Sequence, residues 1–130
     1  MKNSVFLLSI LFITFSSFGQ INSSDLVSKS EGTSAQFPGG DFELMIYIND
    51  NIQFPKTVAE KNINDKCVVR FMVTTEGELK NIEVIKNVAE CPECDLEAIR
   101  LIQSMPKWEP AIKNNIPIRT HMNLSITFKN

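Results

Sequence analysis

The side chains best suited to covalent chemistry sit together in the 130-residue chain, as Cys91-Pro92-Glu93-Cys94. Two thiols at this spacing, at a helix start, suit dithiol exchange, because the positive end of the helix dipole favours thiolate. The order strand, Cys-x-x-Cys, helix, strand superficially fits a small envelope dithiol oxidoreductase. Thioredoxin-like folds need more strands than this chain supplies, so the pair reads better as a structural disulfide between Cys91 and Cys94. Cys67 would then be a buried thiol, although its pairing with one of the other two stays open. By residue type Cys67, Cys91, Cys94 and His121 also make a Cys₃His zinc set. Face parity separates them: Cys67 shares a strand face with Val69, Phe71 and Val73, whereas His121 lies on the polar face of its own strand. No metal and no cofactor is therefore expected. One histidine gives no basis for a catalytic triad, and Gly39-Gly40 lacks the lysine and preceding strand of a phosphate loop. The chain is read as non-enzymatic.

The single tryptophan, Trp108, stands between Pro106 and Pro110, with Pro117 further on. No acid, base or ligand cluster accompanies it. It is read as a lid on the core at a joint between helix and strand, not as the wall of a ligand pocket.

The elements that must position these residues follow from charge and periodicity. The net charge is −2 and the pI about 5.4, so no electrostatic footprint for nucleic acid exists. Residues 1–19 carry a short positive start, an apolar run and small residues at Ser17 and Gly19, which fit a cleaved signal peptide. The apolar run is short for a span and thinned by serines, so a retained inner-membrane anchor is the alternative. Residues 20–36 read as a flexible leader, and residues 37–130 as one folded, exported domain, and thiols outside the cytoplasm are free to oxidise.

After Pro38-Gly39-Gly40, Asp41 is a candidate helix cap. Phe42, Met45, Ile46 and Ile52 give an apolar stripe, and Pro55 opens a second short helix. Residues 66–74 read as a strand, residues 75–78 as a turn with Gly77 free to take positive φ, and residues 79–88 as its hairpin partner. A helix follows the cysteines, with Asp95 as cap and Leu96, Ile99, Ile102 and Met105 as its stripe, broadened by Ala98 and Leu101. In the last run Ile118, Met122, Leu124, Ile126 and Phe128 face one way with Thr120. Arg119, His121, Asn123, Ser125, Thr127 and Lys129 face the other. That is a strand with one buried and one wet face. The fold class is α+β: a three-stranded antiparallel sheet with helices packed on one face, leaving a sheet edge open to strand addition.

Three stretches carry a family resemblance: "FPGGDFELMIYINDNIQFPKTVAEKNI", "KCVVRFMVTTEGELKNIEVIKNV" and "CDLEAIRLIQSMPKWEPAIKNNIPIRTHMNLSITFK". The Phe-Pro-Gly-Gly opening, Phe54-Pro55, and Met105-Pro106-Lys107-Trp108 with Pro110 are the most specific pieces. Together they resemble the C-terminal domain of TonB, the bacterial energy transducer. The resemblance implies a periplasmic domain that grips a short peptide of outer-membrane receptors, the TonB box, by adding it beside the last strand. Mapped here, the partner-binding residues are 118–128. An envelope protein other than a receptor, and an inner-membrane energising complex, are further partners to consider. Where the family often has glycine in the turns before the first and last strands, this chain has Asn62 to Asp65 and Asn114-Asn115, and asparagine tolerates left-handed backbone. A leader of about 17 residues reaches only about 60 Å when extended and about 23 Å as a coil. That favours a stand-alone binding module over a complete, membrane-anchored transducer.

Overall fold

The computed structural model describes residues 32–130. In chain order the elements are β1 (Gly32–Thr33), α1 (Asp41–Asn51), α2 (Lys56–Glu60), β2 (Asn64–Val73), β3 (Leu79–Lys86), α3 (Pro92–Gln103), β4 (Ala111–Lys113), β5 (Ile116–Ile118) and β6 (Thr120–Lys129). The expected signal peptide and most of the expected leader lie outside the described residues.

The main sheet is antiparallel, in the order β3-β2-β6. Its helix-covered face is set by alternation: Cys67, Val69, Phe71 and Val73 of β2 are buried, as are Ile126 and Phe128 of β6. Against them α3 turns Cys94, Ala98, Leu101 and Ile102 inward. The hairpin between β2 and β3 closes through Gly77 at φ 84°, with Thr74 N–H donating to the Glu78 carbonyl at 2.9 Å. Of the turn residues anticipated in place of glycine, Asn62 at 49°, Asn114 at 52° and Asn115 at 63° take positive φ, whereas Asn64 and Asp65 already belong to β2. Asn114 and Asn115 join β4 to β5 as a tight hairpin turn.

Trp108 covers one end of the core. It is 5% exposed, and its ring meets Phe71 at 5.2 Å and Phe37 at 6.0 Å between centroids, both edge-to-face. Aromatic pairs prefer this geometry. Its backbone is held too, since Trp108 N–H donates to the Gly77 carbonyl at 2.9 Å. The tryptophan therefore locks the β2–β3 turn to the segment that leads towards β6.

Several sequence expectations are corrected. The last apolar run is not one strand: Ile118 belongs to β5, which pairs with β4 in a second small sheet, and β6 begins only at Thr120. The docked chain starts earlier than residue 37, because β1 pairs with β4 and Gln36 bridges to Glu109. On α1 the stripe faces the other way except for its last member, Ile52. Phe42 and Met45 are 71% and 61% exposed, while Leu44 is buried and Tyr47, Ile48 and Ile52 pack against the core. The helix carries apolar residues on both sides, so spacing alone did not choose between them. Leu96 is likewise exposed, and α3 buries Glu97 in its stead. Neither acidic cap forms. Gly40 holds the cap position of α1, and Cys91 that of α3, its Sγ accepting from Cys94 N–H at 3.2 Å. Asp95 instead accepts from Val88 N–H at 3.0 Å and Asn87 Nδ2 at 2.8 Å, fixing the loop before its helix.

Candidate functional site: the free edge of β6

The register between β2 and β6 runs without a shift from Asn64↔Lys129 to Val73↔Thr120. One hydrogen bond fixes its parity. Asn130 N–H donates to the Ile63 carbonyl at 3.0 Å, in line with that register. In an antiparallel ladder hydrogen-bonded pairs recur every second residue. Thr120, Met122, Leu124, Ile126 and Phe128 therefore turn N–H and C=O towards β2. His121, Asn123, Ser125 and Thr127 turn theirs away from it. Since β6 ends the sheet, those groups meet no other strand among the described residues. The same alternation sends even-numbered side chains to the helix side and odd-numbered ones to solvent.

The two edges of the sheet differ. Along β3 the pairing is interrupted twice, between Val68 and Val69 and between Arg70 and Met72, and Asn81 sits at φ 53°. Bulges and lysines, here Lys80 and Lys86, are ways in which proteins blunt an edge against pairing. The β6 edge has a straight ladder of ten residues with no bulge, and its one lysine, Lys129, stands at its very end.

Apolar surface flanks the free edge. At one end a cleft of about 300 Å³ lies between Ser125–Thr127 and Met45, Ile48, Ile52 and Phe54. Phe54 is 53% exposed, and its ring tilts against buried Phe128 at 5.9 Å. At the other end a cleft of about 450 Å³ separates Thr120–Met122 from Ile112, Ile118 and the start of the described chain. The turn that carries Phe54 is held by a buried carboxylate. Glu97 accepts from Gln53 N–H at 3.2 Å and from Arg100, and Arg100 Nη2 donates to the Asn51 carbonyl at 2.9 Å. The Glu97 carboxylate raises the guanidinium pKa above its usual value.

The predicted partner-binding residues thus divide. Those from Thr120 to Phe128 lie on β6, four of them with backbone groups at the open edge. Ile118 and Arg119 lie outside it, on β5 and at the break between strands. Met45 and Phe54 were missed as site residues, because the spacing of α1 pointed Met45 inward. The candidate zinc set is not assembled: Cys67 faces the core, His121 faces solvent, and Cys91 and Cys94 are bonded to each other, with Cα atoms 5.2 Å apart. Both bonded cysteines are wholly buried. Burial, with the Asp95 carboxylate adding to it, pushes the Cys67 thiol up to about 12.

The family model for the Gram-negative bacterial TonB protein C-terminal matches residues 50–130. No curated protein matches. Among solved structures, two NMR solution structures of the Helicobacter pylori TonB C-terminal domain are similar to the chain. The longer form is 21% identical, covering 88% of this chain and 97% of its own, with TM-score 0.48. The shorter is 19% identical, covering 70% and 98%, with TM-score 0.46. The family model spans the whole main sheet, α2, α3 and the free edge, and on that match the chain belongs to the TonB C-terminal family.

Proposed function

We propose that this chain is an exported periplasmic binding domain that takes up an extended peptide of an outer-membrane receptor as an added strand on β6. In doing so it would serve energy-coupled transport across the outer membrane. The observation that carries the reading is the unbroken β6 ladder, with N–H and C=O of His121, Asn123, Ser125 and Thr127 turned away from β2. Four consecutive outward pairs give a peptide backbone partners at every second residue, while the bulged β3 edge offers no such ladder. Family membership supports the kind of partner. The role assigned is binding and force transmission, without a catalytic step. Among the described residues no helix is long and apolar enough to cross a membrane. An inner-membrane energising complex is a further partner of the reading.

The test is a set of proline variants. Asn123→Pro and Ser125→Pro each delete an N–H that points away from β2, and edge strands tolerate proline there. Both should fold, and each should weaken binding of synthetic N-terminal receptor peptides by at least about fivefold, the equivalent of one lost hydrogen bond of ~1 kcal/mol. Leu124→Pro deletes a ladder donor and should instead lower stability. If the folded edge variants bind as tightly as the parent, strand addition on β6 is not the mode of binding.

A further inference from the structure

The cleft beside Ser125–Thr127 continues the free edge on the helix side of the sheet, and its position dictates what can occupy it. A strand added to β6 alternates its side chains in phase with β6, whichever way it runs. Residues opposite Asn123, Ser125 and Thr127 would turn to the wet face. The residue opposite Ile126 would turn to the helix side, where Met45, Ile48, Ile52 and Phe54 stand at the edge of the core. These four walls are apolar, and Met45 and Phe54 are among the most exposed large apolar residues described. Only Asn49 adds a polar side chain on the helix side of the cleft. No lysine, arginine, aspartate or glutamate lines it, so a charged side chain placed there would lose water with nothing to pair with.

Resting on the strand-addition reading, we propose that this cleft is a specificity pocket which selects peptides carrying a large aliphatic or aromatic side chain at the one position opposite Ile126. The ladder holds any extended peptide, since backbone groups are common to all sequences. Discrimination comes from the walls that α1 and Phe54 set beside it. The exposed face of α1 thereby has a use: Met45 is uncovered because it is one wall of the pocket. Phe42, on the same helix but outside the cleft lining, serves as an internal control.

The experiment uses ¹⁵N-labelled protein titrated with host decapeptides of alternating threonine and valine. One valine near the middle is replaced in turn by leucine, phenylalanine, alanine or aspartate. Backbone amide shifts of His121, Asn123, Ser125 and Thr127 report strand addition itself. Leucine or phenylalanine should bind about ten- to a hundredfold tighter than alanine, the range for burying one large apolar side chain, and aspartate weaker than alanine. Met45→Gln should erase most of that preference while the edge amides still shift with every peptide, and Phe42→Gln should leave the preference intact. If the edge amides shift but all guests bind alike, or if Met45→Gln keeps the full preference, the pocket is refuted while strand addition stands. If no peptide moves the edge amides, strand addition fails and the pocket with it.

Discussion

Replacing Gly77 by alanine isolates a contact that holds the core lid to the sheet. Gly77 takes φ +84°, and a Cβ built there would lie 2.0 Å from the Trp108 carbonyl oxygen. Left-handed backbone costs a non-glycine residue about 1–2 kcal/mol. The clash is separate from that strain. Atoms 2.0 Å apart must move, and the movement breaks the bond from Trp108 N–H to the Gly77 carbonyl. Orphaning that buried donor costs about 1–3 kcal/mol. Together the terms reach about 2–5 kcal/mol, a large part of a small domain's stability. Melting should fall by roughly 8–40 °C, at about 4–8 °C per kcal/mol. Gly40→Ala is the control, with φ +89° and no atom within 4 Å of the added Cβ. It carries backbone strain without a clash; at ψ −168° it lies in a region nearly confined to glycine that costs about 1–3 kcal/mol, so it should lose about 4–24 °C by the same scale. Thermal denaturation followed by circular dichroism measures both, and Trp108, the one tryptophan, reports its own surroundings by fluorescence. Should Gly77→Ala melt no lower than Gly40→Ala, with unchanged tryptophan emission, the close approach of the turn to Trp108 is not a structural constraint.

Three further outcomes follow from the cysteines. The Cys67 thiol stays protonated in the native state up to about 12, whereas an unfolded thiol ionises near 8.5–9, so between those values the unfolded state holds fewer protons. Stability should therefore fall as pH rises from about 9, by up to ~1.4 kcal/mol per pH unit from this group, and Cys67→Ala should show a shallower slope in urea titrations; equal slopes would contradict the buried thiol. Replacing both Cys91 and Cys94 by serine opens a four-residue loop and should cost about 2 kcal/mol on the chain-entropy account. The intact protein should not reduce insulin, and turnover that Cys91→Ser abolishes would restore the oxidoreductase reading.

Strict alternation over residues 66–74 and 120–129 made the two central strands and their buried faces legible in the sequence, because a period of two leaves one way to hide Val69, Phe71, Ile126 and Phe128 together. Asparagines at turn positions and proline at a helix start were legible for the same local reason: each residue type has few conformations to choose from. Local pattern failed where two choices were equally apolar. On α1 the stripes Phe42-Met45-Ile46 and Leu44-Tyr47-Ile48 fit one helix, and only tertiary contacts, such as Tyr47 against Phe37 and its hydroxyl bonded to Ser104 just after α3, decided which went inside. Ile118 fitted the alternation of β6, yet the turn at Asn114-Asn115 drew it into a separate hairpin with β4. Which N–H groups of β6 face outward was likewise beyond the sequence. Alternation fixes faces, but the neighbour each amide meets depends on the strand that lies beside it, and that choice belongs to the sheet order β3-β2-β6.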